Sequence, residues 1–167
     1  SIDKAVTLAL SGQVGAIVTN PIQKSALYDT GFAFPGHTEY LAHLANTPSN
    51  PIMMLASDNL KVVAITRHVS VLDAVNLLSQ ELIIETAETT FSSLKKEFGI
   101  NEPRMAIAGL NPHAGETGTM GKEEQTIIEP AIKILQAMGY NARGPLPADS
   151  LFHPAARERY DVTLCMY

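Results

Sequence analysis

Apolar residues fall into two patterns along this chain: short unbroken runs, and longer stretches in which they recur every three or four positions. Asp3 to Leu10 has the helical spacing, and Ser11-Gly12 supplies a stop. Val14 to Val18 reads as a buried strand that leads through Thr19-Asn20-Pro21 into a helical pattern from Ile22 to Tyr28. The loop Phe32-Ala33-Phe34-Pro35 then delivers Gly36-His37-Thr38-Glu39 to a helix ending near Leu44. Ile52 to Leu55 and Lys61 to Ile65 flank the turn Ser57-Asp58-Asn59 and predict a hairpin. Helices follow over Val71 to Leu78 and Gln80 to Phe98, the second with Leu82, Ile83, Thr86, Thr90, Leu94 and Phe98 as its core face and Gly99 as its stop. Arg104 to Ala108 fits a strand buried on both faces, and Glu123 to Met138 fits a helix that Pro130 should kink. Asn141 to Leu146, a helix near Phe152 to Arg157 and a strand from Val162 to Tyr167 complete the pattern. Strands alternating with helices predict an α/β fold with a largely parallel, mixed sheet whose antiparallel member is the hairpin.

Composition narrows the function classes. With 167 residues, 46% apolar and 17% charged, the chain can bury the core of one domain. A net charge of −5, without clustered Lys and Arg, excludes a nucleic-acid surface and favours a small partner. Cys165 is the sole cysteine, so no internal disulfide forms, and no stretch has the length and apolarity of a membrane span or signal peptide. These features predict a reducing, cytoplasmic setting. The start at Ser1 without Met and the end at Tyr167 within an apolar run suggest a fragment.

Candidate chemistry gathers in loops that follow strands. Leu110-Asn111-Pro112-His113-Ala114-Gly115-Glu116 lies between a predicted strand and a helix, where α/β sheets bind ligands. His68 ends another strand, in Thr66-Arg67-His68. Two imidazoles at neighbouring strand ends could share a divalent metal, or each could be an ordinary polar residue closing its strand. Asp149 is open to three readings: a third metal ligand, a base in the same cleft, or a helix cap. Lys24 sits in a predicted first helical turn, where a cation opposes the helix dipole unless an anion lies nearby, which makes it either a catalytic candidate or an exposed lysine. His37 and Thr38 stand at a helix N-terminus, suited to substrate oxygens or, for Thr38, to capping. The Gly115 to Gly121 run contains neither a Rossmann fingerprint nor a P-loop, so it identifies no cofactor-binding residues.

Gly36-His37-Thr38-Glu39, Leu110 to Glu116, Gly144-Pro145-Leu146-Pro147-Ala148-Asp149 and Cys165-Met166-Tyr167 together resemble the 4-hydroxythreonine-4-phosphate dehydrogenase family of pyridoxal phosphate biosynthesis. The resemblance covers the middle of a longer family chain, so residues 1–167 read as a central fragment lacking N- and C-terminal parts. It implies a three-layer α/β/α architecture like the isocitrate and isopropylmalate dehydrogenases. It further implies NAD or NADP, a divalent zinc, magnesium or cobalt ion on three histidines of which His68 and His113 are two, substrate contacts from His37 and Thr38, and a homodimer. The implied reaction is metal-assisted oxidation and decarboxylation of 4-phosphohydroxy-L-threonine. Two departures, Thr19 to Lys24 in place of a Gly-Pro start and Val69 after His68 in place of Leu or Pro, leave room for another phosphorylated four-carbon acid, such as threonate or erythronate phosphate. A metal-dependent hydrolase and a non-catalytic scaffold remain as alternatives. The Phe32 to Pro35 loop is the expected dimer contact, or else folds back on its own domain.

Overall fold

The computed structural model describes residues 2–21, 32, 34, 36–47 and 51–167. They divide into two compact units, Ser1–Pro51 and Ile52–Tyr167. In the first unit, α1 (Ile2–Leu10) contacts α2 (His37–Ala45), and the Tyr40 hydroxyl donates to Asp3 Oδ1 at 2.5 Å. Gly12, at φ +72°, closes α1 as the sequence predicts. Residues 14–18 form no strand: Val14 is 41% and Val18 95% exposed. An apolar run becomes a buried strand only with a ladder partner and two covering layers, and the described residues supply neither here. The predicted helix from Ile22 to Tyr28, with Lys24, lies outside the described residues.

The second unit is built on a five-stranded sheet in the order β1-β2-β5-β3-β4. Its members are β1 (Met54–Ser57), β2 (Leu60–Ala64), β3 (Arg104–Ala108), β4 (Asn141–Leu146) and β5 (Val162–Cys165). Ser57 pairs with Leu60, so β1 and β2 form the predicted antiparallel hairpin around Asp58-Asn59. The β2–β5, β5–β3 and β3–β4 pairs are all parallel. The chain is therefore a mixed α/β fold with a mostly parallel sheet.

Alternation along the strands sends side chains to two cores. Val63, Met105, Ile107, Val162 and Leu164 face one way, under α4 (Gln80–Lys96) and α5 (Glu129–Ala137), which contribute Ile83, Ala87, Phe91, Leu94, Ile132 and Leu135. The short α3 (Val71–Leu77) precedes α4, and the hydroxyls of Ser70 and Ser79 cap α3 and α4 by accepting from Asp73 N and Leu82 N. On the other face Ala106 and Ala108 meet Leu151 and Tyr160, near the single turns α6 (Ala148–Leu151) and α7 (Pro154–Arg157). Small residues on β3 suit this thinner layer.

Three helical expectations change. Phe98 is not core but 44% exposed, with Lys61 Nζ 5.4 Å from its ring centroid; Ala87 and Phe91 take its place in the core, and Phe91 stacks on Tyr140 at 4.6 Å. Pro130 does not kink a continuous helix. A π-helical turn over Glu124–Ile128 precedes it, and Pro130 enters α5 at its first turn, where no N–H is required. The helix expected near Phe152 to Arg157 is only the single turn α7, preceded by the separate turn α6, with His153 capping α7 by accepting from Ala156 N at 3.3 Å.

Candidate active site

Because β2, β5 and β3 are parallel, their carboxyl ends share one edge of the sheet. His68 follows β2, and His113 follows β3. The intervening β5 puts the two strand ends roughly 10 Å apart, from a spacing of about 4.8 Å per strand, a gap that two facing imidazoles can narrow. His68 is exposed and adopts φ +59°.

The loop after β3 has an unusual backbone. His113, Ala114, Gly115, Glu116 and Thr117 all have positive φ, between 42° and 72°, forming a left-handed turn. Four of the five carry a Cβ, and such conformations cost roughly 1–2 kcal/mol per residue. Several contacts oppose that cost. Ala114 N donates to Asn111 O, Met120 N to Gly115 O, and Gln125 Nε2 to Thr117 O, at 3.1, 3.1 and 3.0 Å. Most central is Glu124, 2% exposed, whose Oε1 accepts from Leu110 N at 2.9 Å and Asn111 N at 2.7 Å. Its Oε2 accepts from Asn111 Nδ2 at 2.9 Å, and the same amide donates to Glu123 Oε2 at 2.7 Å. The Glu123 carboxyl is held below its ordinary value, chiefly by a backbone hydrogen bond and then by Asn111. Glycines admit this packing: a Cβ on Gly115 would stand 2.5 Å from Glu124 Oε2, and one on Gly109 2.8 Å from Ala114 Cα.

So wound, the loop turns His113 toward α6. His113 Nδ1 lies 2.6 Å from Asp149 Oδ2, with side chains 61% and 50% exposed. Asp149 is thus an imidazole partner rather than a cap, and its first-turn position makes no side-chain cap bond. The pair borders a pocket of about 370 Å3 that also includes Asn111, Phe152, Cys165 and Tyr167. A carboxylate on Nδ1 fixes the ring tautomer and leaves Nε2 as a lone-pair donor, the usual posture of a metal-binding histidine. Among the described residues no group of three His, Cys, Asp or Glu side chains could hold a metal, so His68 and His113 suit an ion only as part of a larger donor set.

The remaining predicted residues lie in the first unit. His37 and Thr38 are half-buried in the first turn of α2; Gly36 is its N-cap, with no side-chain cap bond, so Thr38 does not cap. Phe34 packs on Tyr40 and His43 at 5.0 Å each, and Phe32 on Tyr40 at 5.1 Å, so His43 joins an aromatic cluster. These aromatic rings of the Phe32 to Pro35 loop thus lie against their own helix. Glu124 escaped the sequence reading, since a glutamate near a helix start looks solvent-facing; an Asn-Pro loop with a glycine spaced before that carboxylate was the available signal.

Comparison with known proteins decides the family. The profile described as pyridoxal phosphate biosynthetic protein PdxA matches residues 1–167. The chain belongs to this family. It is similar to 4-hydroxythreonine-4-phosphate dehydrogenases of Bradyrhizobium diazoefficiens, 55% identical over 100% of the chain and 49% of the relative, and of Caulobacter vibrioides, 52% identical over 99% and 51%. The chain spans about half the length of the curated relatives it matches. Among solved structures, the Klebsiella pneumoniae 4-hydroxythreonine-4-phosphate dehydrogenase superposes with a TM-score of 0.91 at 42% identity, covering 99% of this chain and 50% of that one. A terephthalate 1,2-cis-dihydrodiol dehydrogenase from Burkholderia xenovorans superposes at 0.75 with 29% identity, covering 99% and 52%.

Proposed function

We propose that the protein to which this PdxA-family chain contributes is a 4-hydroxythreonine-4-phosphate dehydrogenase, oxidising and decarboxylating 4-phosphohydroxy-L-threonine to 3-amino-2-oxopropyl phosphate with NAD or NADP in pyridoxal phosphate biosynthesis. The observation that carries the reading is the His113–Asp149 pair at the carboxyl edge of the sheet, in a chain similar along its whole length to enzymes of that name. We assign the activity to a protein of the relatives' length, as a homodimer in the cytoplasm. The three-layer, isocitrate-dehydrogenase-like architecture belongs to the same proposal, supported by helices over one sheet face and two short turns on the other.

Each residue then has a role. His113 and His68 would hold a divalent zinc, magnesium or cobalt ion through their imidazole nitrogens, together with a third histidine that the family resemblance implies beyond Tyr167. Just after β5, the Met166 carbonyl accepts from Thr66 N at 3.1 Å and Thr66 Oγ1 at 2.7 Å, which holds that strand end beside the one that leads to His68. Such an ion, when bound, would supply Lewis acidity for hydride loss and for loss of carbon dioxide. Asp149 keeps the His113 ring oriented and can hold a proton at Oδ2 if the imidazole turns away. His37 and Thr38 bind substrate oxygens, and Lys24 is the acid–base candidate of the first unit. The terephthalate dihydrodiol dehydrogenase is a reminder that this fold serves other substrates, which leaves threonate and erythronate phosphates as competitors.

The test is NADH formation by the full-length protein with each phosphorylated acid, before and after chelation. Turnover should vanish with the metal, return on adding it, and fall by at least about 10²-fold in His113→Ala, in keeping with loss of a ligand. Nicotinamide-independent hydrolysis, or turnover indifferent to chelator, would overturn the assignment.

A further inference from the structure

On the Ala106 face of the sheet a second concavity, of about 320 Å3, lies on the other side of α6 from the His113 pocket. Ala148 and Asp149 border the first, and Ser150 and Leu151 border the second, so one helical turn is the wall between them. The floor is apolar, from Ala106, Leu146, Leu151 and Tyr160, and Tyr160 ties the wall down by donating its hydroxyl proton to Leu151 O at 3.1 Å. The rim is basic. Arg104, Arg143 and Arg159 line the pocket, together with no acidic residue. Arg104 is engaged by Asp161, at 2.9 Å from Nη2 to Oδ1, and by the Glu158 carbonyl. The guanidinium groups of Arg143 and Arg159 have no hydrogen bond or ion pair among the described residues. Two unpaired planar cations over an apolar floor are uncommon in a chain of net charge −5, and the register explains one of them: Arg143 pairs with Ala106 in parallel, so it projects from the same sheet face.

We propose that this pocket is a separate binding site for a small anion with an apolar body, a phosphate monoester or carboxylate of aryl or short alkyl type. The volume is at the lower end for small-molecule sites, the floor takes the apolar body, and guanidinium forks match the two oxygens of either anion. Carboxylate and phosphate are distinguished by the probes.

The test is titration of the 167-residue chain with phenyl phosphate, benzoate and uncharged benzyl alcohol, followed by amide nuclear magnetic resonance. Saturable shifts at Ala106, Ser150 and Leu151 with one or both anions, and none with benzyl alcohol, are expected. Arg143→Ala with Arg159→Ala should weaken the anion by about tenfold or more, as loss of charge-assisted hydrogen bonds implies. Both side chains are solvent-facing, and an unchanged amide pattern across β5 checks the fold; should the double variant unfold, the lysine pair Arg143→Lys and Arg159→Lys keeps the charge, removes the fork, and should still weaken binding. Absence of saturable shifts at millimolar probe, equal binding of benzyl alcohol, shifts confined to Gly109 and His113, or undiminished affinity in the substituted chains would each overturn the proposal.

Discussion

Replacing Glu124 by Gln tests whether the His113 loop is held by one buried carboxylate. Glutamine is nearly isosteric, and its Oε1 can still accept from Leu110 N and Asn111 N. Its Nε2 would then face Asn111 Nδ2, which donates at 2.9 Å to the oxygen being replaced. Rotating the Asn111 amide does not help, because it would turn Oδ1 toward Glu123 Oε2, now accepting from Nδ2 at 2.7 Å. One charge-assisted bond is lost and two donors confront each other, which together cost about 2 kcal/mol. For a chain of 167 residues that corresponds to a melting temperature lower by roughly 4–8 °C. Glu124→Ala removes all three acceptor contacts and leaves a void, a loss of about 3–5 kcal/mol. Thermal unfolding followed by circular dichroism gives the stability, and amide hydrogen exchange at Leu110 and Asn111 localises it. The exchange of those two amides should accelerate, while that of Ile107 tracks only the global change. A Glu124→Gln chain that melts within a degree of the parent with both amides still protected refutes the anchoring argument.

Further outcomes follow from other parts of the molecule. Burial raises the Asp161 carboxyl, but its hydrogen bonds from Arg104 and the Arg104 and Lys61 charges outweigh this and leave it below the ordinary aspartate value. A group depressed in the folded state stabilises fully above the unfolded value of about 4 and loses that contribution as pH falls through its lower folded value. Acid titration of stability should therefore be shallower in Asp161→Asn, whose stability near neutrality should be lower by about 1–2 kcal/mol. Burial pushes the Cys165 thiol up, more than its hydrogen bond with Thr163 lowers it. Iodoacetamide should label Cys165 more slowly than a free thiol at pH about 8, and denaturant should remove the difference; equal rates in the folded chain would contradict the burial. Asp149→Ala in the full-length protein should weaken metal binding by about 10- to 100-fold, measured by competition with a chromogenic chelator, whereas unchanged affinity would mean that the carboxylate does not orient His113.

Periodicity made the sheet and the long helices legible, because a strand or helix with one or two buried faces must show that burial in its own residues. Val14 to Val18 misled for the same reason: the run has the composition of a strand, but composition does not state whether a neighbour exists to pair with it. Phe98 misled more simply, lying on the extrapolated stripe of a helix that stops at Lys96. At the site, the strand-end location of His68 and His113 could be read from local pattern. The contact of His113 with Asp149 could not, since it is produced by the return of the chain through α5 and β4 to α6. The left-handed turn was equally hidden: only Gly115 announces a positive φ, and the other four residues adopt it because Glu124 and the loop carbonyls hold them there.

The position of β5 also bears on how the chain assembles during synthesis. Of the five strands it comes latest in chain order, yet it pairs with both β2 and β3, joining Val62 to Thr163 and Met105 to Val162. Until those residues leave the ribosome, the hairpin and the β3–β4 pair are two half-sheets, each with an open edge complementary to the missing strand. Such edges can recruit a strand from another nascent copy, and closure across so long a stretch of sequence is slow. Chaperone demand and aggregation should therefore be highest while β5 is still missing and fall abruptly once the Val162–Cys165 segment has docked.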